Sequence, residues 1–475
     1  MSCSIEMEMP DDDDGEYSRW SLLPDLVLEQ ILSHLTMREK YAASLVCRSW
    51  SRAFRLPRVW HTFVYEDSTL TRRKYNYYYG WQSFLDHMRT QNCLACIGRN
   101  IHNLILKPSV SFFNLYEFMN MLSYFAERVP PDNLGIGPNI HSLSFVFPCN
   151  MAVRESPDQE GTQIFGTGGR LLETLKRLMG NLASLRRLEL TDLMLEPWEA
   201  RHLLDEVCGS CSLRMTRLVL VNATRVPCPV LHVGVFLRLQ VLVISPQSLG
   251  EDVLELLGQA RLRHLHILQN CYSPSNEALE PVAPRAWQNC RRANPRMAVH
   301  LQGVGLKGSE LLWQSRAPVH SVLYDSPHSK MVPESVLMVV DLYAKDLHVY
   351  GHCGLPKFWM PRSFHDRVDS LLLLLCRQCP NLHTLVVRDR ISTSTVLLLA
   401  HTARNLRALH VRRNAVVLRR DWPRNPEWGA DFALWLHTAS RSYPATEQEV
   451  SRMMGRPWTM LSDKQFKMTR VNLHA

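Results

Sequence analysis

Residues 185–190 read LRRLEL, residues 215–220 read MTRLVL and residues 239–244 read LQVLVI. Each segment has apolar residues at its first, fourth and sixth positions, a short pattern that is typical of a buried β-strand. Related segments begin at residues 101, 140, 262, 319, 382 and 406, and degenerate copies begin at residues 297 and 346. The segments therefore form an internal repeat.

The spacing of this repeat indicates its architecture. Five of the ten separations between successive central apolar residues, from Leu104 to Leu409, fall between 23 and 25 residues. This period lies within the roughly 20–29 residues of leucine-rich repeats, each of which supplies one strand and one helix. Intervening segments such as GEDVLELLGQA (250–260) have helical apolar spacing. Because one unit cannot bury its own apolar face, the units must stack. The sequence predicts an α/β fold over residues 99–420, a leucine-rich-repeat solenoid with a curved parallel sheet and outer helices.

The N-terminal region has a different pattern. Within LPDLVLEQILSHL (23–35), four residues have the spacing of one helical face, namely Leu28, Ile31, Leu32 and Leu35. Thr36 and Glu39 then have the spacing of a capping box, which predicts the start of a second helix. Fewer than about 50 residues rarely bury enough surface to be stable alone. The apolar face therefore packs on the rest of this chain or enters the groove of a partner protein, and the pattern alone leaves both open.

Residues 19–65 resemble the F-box. Leu-Pro, spaced aliphatic residues, LVCRSW (45–50) and VW (59–60) occur in the order and at the separations of that family. The resemblance implies docking onto the Skp adaptor and, through it, onto a cullin–RING ubiquitin ligase core. The residues that it assigns to adaptor binding are Leu23, Pro24, Leu28, Ile31, Leu32, Leu35, Val46, Cys47, Trp50 and Trp60. Some of these must instead form the small internal core, and the sequence does not divide them.

The expected organisation has five parts. They are a disordered acidic tail (1–18), the F-box (19–65), a linker or first cap (66–98), the solenoid (99–420) and a C-terminal cap or tail (421–475). The last part mixes Trp with Arg, as in RRDWPRNPEWGADF (419–432). Such a mixture can stack on nucleic-acid bases, or it can cover the open end of a solenoid. We favour the cover and expect no nucleic-acid partner.

Composition limits the compartment. The 475 residues carry a formal net charge of +9 without a basic block, so acidic partners are favoured only weakly. The longest apolar run, LLLLL (371–375), is far shorter than the roughly 20 residues of a membrane span, and the acidic N-terminus lacks the pattern of a signal peptide. Thirteen cysteines, an odd number, point to a reducing compartment. We expect a cytoplasmic or nuclear protein that is not secreted and has no membrane partner.

Three motifs resemble chemical sites, and each has a simpler interpretation. The pairs Cys93/Cys96, Cys208/Cys211 and Cys376/Cys379 have zinc or redox spacing, but each lies near a predicted helix-to-strand turn of a different repeat. GTGGR (166–170) lacks the end of a phosphate loop, and Asp11–Asp14 lack the ligand spacing of a calcium loop. We therefore expect no metal, cofactor or catalytic residue, and no enzymatic activity in this chain.

A column of histidines marks the predicted strand face. In each repeat, the residue between the last two apolar positions should point to the concave side of the sheet. Four of these eleven residues are histidines, where the 20 histidines of the chain predict fewer than one. The candidate substrate-binding residues are these histidines and three neighbours, namely His266, His300, His348, His410, Tyr350, Arg388 and Arg412. They form either a polar strip that recognises an acidic or phosphorylated substrate segment, or an ordinary solvated face.

The F-box and the repeats together resemble the F-box/leucine-rich-repeat substrate receptors. In that family the chain recruits a protein substrate to a Skp–cullin–F-box ubiquitin ligase while other subunits transfer ubiquitin. The alternative from the residues is a non-catalytic repeat scaffold, whose F-box-like helices pack internally and have no role in a ligase.

Overall fold

A computed structural model describes residues 19–128, 135–150, 165–306, 310–423, 426, 428–471 and 473. The chain divides into two compact units, Met1–Leu143 and Ser144–Ala475. The acidic tail predicted for residues 1–18 lies outside the described residues.

The first unit begins with short helices. They are a 3-10 helix at Arg19–Leu22, α1 (Asp25–Ser33), α2 (Met37–Ser44), α3 (Arg48–Ala53) and a 3-10 helix at Pro57–Trp60. Pro24 lies immediately before α1, and the hydroxyl of Thr36 accepts a hydrogen bond from the backbone N–H of Glu39. The Glu39 side chain in turn accepts one from the backbone N–H of Thr36, so the predicted capping box at the start of α2 is confirmed.

The rest of the first unit mixes strands and helices. Its elements are β1 (Thr62–Tyr65), β2 (Thr71–Asn76), β3 (Gly80–Leu85), α4 (His87–Ile97), β4 (Asn103–Leu106) and α5 (Phe112–Glu127). β1 and β4 pair in parallel, and β2 and β3 form an antiparallel hairpin. The interval 66–98, expected to be a linker or cap, therefore contains a hairpin and a helix. The parallel strands also begin before residue 99, because β1 already belongs to them.

The second unit is a parallel sheet with connecting helices. Strand β5 (Ser142–Val146) begins at the division between the units. The strands that follow are β6 (Arg187–Thr191), β7 (Arg217–Val221), β8 (Val241–Ile244), β9 (His264–Asn270), β10 (Ala298–Val304), β11 (Val319–Asp325), β12 (Val349–Cys353), β13 (Thr384–Val387), β14 (Ile391–Ser392), β15 (Ala408–Val411) and β16 (Val416–Val417). Strands β6 to β13 lie side by side in sequence order, β15 follows β13, and β14 pairs separately with β16.

The helices of the second unit connect these strands or follow them. They are α6 (Gly169–Gly180), α7 (Pro197–Cys211), α8 (Glu251–Gln259), α9 (Pro284–Ala293), α10 (Pro333–Tyr343), α11 (Asp369–Gln378), α12 (Thr393–Thr402), α13 (Ala430–Ala439), α14 (Tyr443–Met454) and α15 (Asp463–Met468). Helix α6 begins within GTGGR, the motif that weakly resembled a phosphate loop. None of the helices in the described part of the chain has the length and apolar character that a bilayer crossing requires.

The register of the sheet follows the predicted repeat. Leu188, Leu218, Leu242, Leu265 and Val299 lie opposite one another on successive strands β6 to β10. All five side chains are fully buried, so they form the continuous core that stacked repeats require. The predicted α/β fold, with N-terminal helices followed by a solenoid-like parallel sheet, is confirmed.

The C-terminal segment covers the last strand of this sheet. The backbone N–H of Leu461 donates to the oxygen of Val411 in β15 at 2.8 Å, and the N–H of Arg413 donates to the oxygen of Leu461 at 2.9 Å. The indole N–H of Trp458 donates to the backbone oxygen of Leu409 at 2.7 Å. These bonds satisfy backbone groups that an open strand edge would expose.

Candidate functional site

The helical face predicted to contact an adaptor divides into buried and exposed residues. Leu28 and Leu32 have no exposed surface, and Trp60 is also buried. The indole N–H of Trp60 donates to the backbone oxygen of Phe54 at 2.7 Å, and the two rings meet edge to face at 5.0 Å. These three predicted adaptor contacts are therefore corrected to core residues of the first unit, because a buried side chain offers no surface to a partner.

Two buried charged residues fix the helices around this core. The ammonium group of Lys40 donates to the backbone oxygen of Val59 at 2.7 Å and lies 4.9 Å from the centre of the Trp60 ring. Burial lowers the pKa of Lys40. The carboxylate of Glu29 accepts a hydrogen bond of 2.9 Å from the backbone N–H of Arg58. Helices α1 and α2 are thus both joined to the segment 57–60.

The other predicted contacts keep some exposed surface. Pro24 and Val46 are exposed, and the partly buried residues are Leu23, Ile31, Leu35, Cys47 and Trp50. The indole N–H of Trp50 donates to the backbone oxygen of Trp20 at 3.1 Å, which joins α3 to the first 3-10 helix.

Further apolar residues of these helices, not predicted as contacts, are exposed. Leu26 and Leu45 each leave more than two thirds of their surface exposed, and the others in this group are Trp20, Leu22 and Tyr41. The sequence already indicated that some apolar residues of α1 would be exposed, because LPDLVLEQILSHL has apolar residues on more than one side of the helix. Helix α1 buries one side, and the remaining apolar residues form an unpartnered surface of the kind that marks interaction sites.

The predicted histidine column exists over part of the sheet. Glu189, Val219, Val243, His266 and His300 lie opposite one another on strands β6 to β10. The rings of His266 and His300 stack with centres 4.4 Å apart. Both residues are nearly fully buried, so this part of the face is not an open, solvated strip.

Polar neighbours and the C-terminal segment complete this surface. His300 Nδ1 lies 2.8 Å from the Ser321 hydroxyl, and His300 Nε2 lies 3.1 Å from His264 Nδ1. Val471 and Leu473 line a cavity of about 290 Å³. The strand residues around the same cavity are Glu189, Arg217, Val219, Val243, His266, Leu268 and Gln302. The last described residues of the chain therefore lie against the predicted substrate face.

His348 does not belong to the column. Tyr350, and not Leu347, lies opposite Val322 and Leu385, so the strand register differs by three residues from the predicted one. His348 instead precedes β12 and stacks on His320 at 4.5 Å between ring centres. The prediction was wrong because this degenerate repeat has a tyrosine where most repeats have the central leucine.

Tyr350 and Arg388 are also corrected as substrate contacts, because both are fully buried. The Arg388 guanidinium donates to the backbone oxygens of Ser326 at 2.6 Å and Cys353 at 2.7 Å, and it also donates to Ser329. A buried cation with these partners ties β13 to the loop after β11 and to the end of β12.

The two candidates on β15 and after it are partly accessible. Burial is the main cause that lowers the pKa of His410, with a contribution from Arg456. Arg412 donates to both carboxylate oxygens of Asp463, at 2.7 and 3.1 Å. This ion pair holds the start of α15, so Arg412 acts in the C-terminal cover. Because His410 and His266 lie on strands several positions apart in the sheet, the seven candidates do not form one contiguous strip.

The three cysteine pairs differ in burial, since Cys211, Cys376 and Cys379 are buried, Cys93 and Cys208 are partly buried and Cys96 is exposed. Burial raises the pKa of Cys93 and Cys376 to about 12 and that of Cys208 to about 11. Because the thiolate is the reactive and metal-binding form, these values oppose redox and nucleophilic roles near neutral pH. Within the described residues, no cluster of three or more His, Cys, Asp or Glu side chains has a metal-binding arrangement.

Comparison with known proteins agrees with the helical unit and the repeats. An F-box-like family model matches residues 20–66. Human F-box/LRR-repeat protein 8 is 28% identical over 292 residues, which is 59% of this chain and 67% of that protein. A structure of the Rad7 and Elc1 complex in yeast aligns with 12% identity and a TM-score of 0.38, covering 86% of this chain and 92% of that one. A structure of a TLR13–ssRNA13 complex aligns with a TM-score of 0.27 and 12% identity, covering 67% and 36% of the two chains.

The class defined by these findings is that of proteins with an F-box-like domain. Residues 20–66 of this chain match that domain, and the chain is similar to a human protein that combines an F-box with leucine-rich repeats.

Proposed function

We propose that this chain is the substrate-recognition subunit of a Skp–cullin–F-box E3 ubiquitin ligase. Its F-box binds the Skp adaptor, its repeat unit binds a protein substrate, and other subunits transfer ubiquitin. The chain itself is not catalytic in this proposal, and we propose the cytoplasm or the nucleus as its compartment, which the odd number of cysteines supports.

The observation that carries the proposal is the exposed apolar surface of the F-box helices. Leu45 and Val46 follow α2 with 68% and 67% of their surfaces exposed, inside the segment that the F-box-like model matches. Exposed aliphatic side chains that follow a short helix are suited to a hydrophobic groove of a partner. The adaptor surface that we propose is Trp20, Leu22, Leu26, Tyr41, Leu45 and Val46, with Leu23, Pro24, Ile31, Leu35, Cys47 and Trp50 beside it.

The experiment is co-purification of the full chain with the Skp adaptor. We expect the wild type to retain the adaptor and the double variant Leu45→Asp, Val46→Asp to lose it, because two carboxylates would have to be desolvated in the interface. The matched control is Leu213→Asp, Leu237→Asp, which changes two residues of the second unit with 70% and 66% exposure. Leu32 is unsuitable as a probe, because its burial makes an aspartate there a folding defect.

The alternative function, a repeat scaffold without a ligase role, draws on the burial of Leu28 and Leu32 inside the first unit. The same experiment decides between the two. If the wild-type chain folds and does not retain the adaptor, the receptor proposal fails and the scaffold is favoured. If the Leu45/Val46 variant retains the adaptor as well as the control does, the proposed contact surface is wrong.

The substrate surface of this proposal is narrower than the sequence suggested. His266 and His410 remain proposed contacts on the strand face, whereas Tyr350, Arg388 and His300 are buried. A substrate that reaches His266 must displace Val471 and Leu473, since they line the same cavity.

A further inference from the structure

The β2–β3 hairpin carries a dense group of exposed aromatic side chains. Tyr75, Tyr77, Tyr78, Tyr79 and Trp81 have between 63% and 86% of their surfaces exposed. They occupy the tip of the hairpin and its two-strand end, where Tyr75 lies directly opposite Trp81. Single exposed aromatic residues are ordinary, but a group of this size marks an interaction surface.

The hairpin is held in place at its base. The buried carboxamide of Asn114 in α5 accepts a hydrogen bond of 2.9 Å from the backbone N–H of Leu85 and donates one of 2.8 Å to the oxygen of Ser83. An isolated two-stranded hairpin is marginal in water, so this support is what allows its far end to project without a core.

The tip of the hairpin is also ordered. The Asn76 side-chain oxygen accepts hydrogen bonds from the backbone N–H groups of Tyr78 at 2.9 Å and Tyr79 at 3.2 Å. Gly80 closes the turn with a φ of +71°, a conformation that glycine adopts without strain. The rings of Tyr77 and Tyr78 meet edge to face at 5.5 Å, as do those of Tyr75 and Trp81. Contacts within the hairpin therefore arrange the turn and two of its ring pairs, which lowers the ordering cost of binding.

The charge of the hairpin is entirely positive. Arg72, Arg73 and Lys74 precede the aromatic residues on β2, and all three side chains are exposed. No aspartate or glutamate occurs between Asp67 and Asp86. The same hairpin thus combines cationic side chains with amphipathic rings of the kind that dominate protein interfaces. Its own strands have no acidic side chain that would neutralise these cations.

We infer that the β2–β3 hairpin is a docking site for an acidic segment of a protein partner. The carboxylates of the segment pair with Arg72, Arg73 and Lys74, and its apolar side chains pack on Tyr75, Tyr78 and Trp81. Rigid tyrosine and tryptophan rings with hydroxyl and indole donors are the means by which many protein-binding loops gain contact area at low entropic cost.

The geometry favours a protein over single-stranded nucleic acid. Stacking of successive bases needs open ring faces arranged along a strand. Here the ring pairs Tyr75–Trp81 and Tyr77–Tyr78 meet at interplanar angles of 69° and 88°, so each pair presents one edge against one face. This arrangement presents mixed polar and apolar ring surfaces to side chains and no continuous platform for bases.

The inference deepens the proposed function, because the acidic partner would be a substrate of the proposed ligase. Only this identification as a substrate rests on the proposed function. The test uses the full chain and three fluorescein-labelled probes of equal length, measured by fluorescence anisotropy at low and physiological salt. The probes are a peptide in which glutamate alternates with leucine and phenylalanine, the same peptide with glutamine in place of glutamate, and a polyuridine oligonucleotide.

The variants distinguish binding at the hairpin itself from a general effect of the net charge of the chain. Arg72→Glu, Arg73→Glu, Lys74→Glu reverses the charge of the hairpin. Arg285→Glu, Arg292→Glu, Arg296→Glu makes the same net change at exposed positions of the second unit. A third variant, Tyr75→Ser, Tyr78→Ser, Trp81→Ser, removes rings and keeps the charge.

We expect the acidic peptide to bind more tightly than the glutamine peptide and the oligonucleotide. Either hairpin variant should weaken its binding by about tenfold or more, whereas the control triple changes it by less than about twofold. Equal weakening by the control triple, unchanged binding in both hairpin variants, or tighter binding of polyuridine would each overturn the inference.

Adaptor co-purification of the same hairpin variants keeps the two proposals separate. Retained adaptor shows that the variants fold, and a wild type that binds the acidic peptide without binding the adaptor leaves the hairpin site intact while the ligase role fails. If neither peptide binds the wild type while the adaptor does, the hairpin inference alone is rejected.

Discussion

The side chain of Asn222 donates a hydrogen bond of 2.8 Å to the carboxylate of Asp192, and both residues are buried where strands β7 and β6 end. Asn222 also donates to Asn270 at 2.6 Å and accepts from Gln247 at 2.9 Å. Burial raises the pKa of Asp192, while its hydrogen bonds from Asn270 and Asn222 oppose this effect. One buried carboxamide thus joins the ends of neighbouring repeats through a polar network.

Replacing this carboxamide should therefore destabilise the second unit. We expect Asn222→Leu to lower the free energy of unfolding by about 3 kcal/mol, because it leaves buried partners unsatisfied. The backbone adds strain, since Asn222 has a φ of +47°, which asparagine tolerates better than leucine. Urea denaturation followed by circular dichroism measures the loss. The control Asn289→Leu, at an exposed position of α9, should change the value by less than about 0.5 kcal/mol, and equal effects of the two would refute the network's role.

His320 at the start of β11 and His348 just before β12 predict a loss of stability in acid. Burial is the main cause that lowers the pKa of His320 from 6.5 to about 4, and the electrostatic interaction with His348 adds to this lowering. Since the unfolded chain binds this proton first, the contribution of His320 to stability is present above pH 6.5 and is lost as the pH falls toward 4.

Substituting His320 should reduce that loss. We expect His320→Gln to recover roughly 1–2 kcal/mol of the difference in unfolding free energy between pH 7.5 and pH 5, a value that allows for partial exposure of the ring. The measurement is the urea midpoint at both pH values. His365→Gln, which changes an exposed histidine of the same unit, serves as the control. A pH dependence identical to that of the wild type in both variants would contradict the assignment.

The C-terminal residues beside His266 predict a change in accessibility. Val471→Asp, Leu473→Asp should detach this segment from Val219 and Val243, because the two new carboxylates would face an apolar cavity wall. We expect modification of His266 by diethyl pyrocarbonate, followed by mass spectrometry, to become severalfold faster. The control is Met468→Asp, at an exposed position at the end of α15. Unchanged reactivity of His266 in the double variant would mean that strand neighbours alone bury this histidine.

Periodicity in the sequence was sufficient to predict the strands where the same residue type recurs at the same position of each repeat. The leucines at 188, 218, 242 and 265 predicted both the strands and their register, because each fills the same core position. The capping box at Thr36 and Glu39 was equally readable, since it depends on residues three apart.

The site was less predictable, because burial depends on neighbours that are distant in sequence. Arg388 reads as a surface cation, yet its guanidinium is enclosed by backbone oxygens of residues 326 and 329, about sixty positions earlier. Likewise Leu32 and Leu26 are both leucines of one helix, and the packing of α3 and of the segment 57–60 on that helix decides which of them is buried. The hairpin aromatic residues were visible in the sequence, but their exposure was not.

The hydrogen bonds of Leu461 to β15 limit where repeats can be added to the chain during evolution. A parallel sheet built from repeats can grow by duplication only where a new strand finds a free neighbour. Here the backbone groups at the final position are already occupied by Leu461, and the Arg412–Asp463 ion pair fixes the segment that supplies them. Descendants of this chain can therefore gain repeats between existing ones, whereas a duplication placed after β15 would first have to displace the whole C-terminal cover.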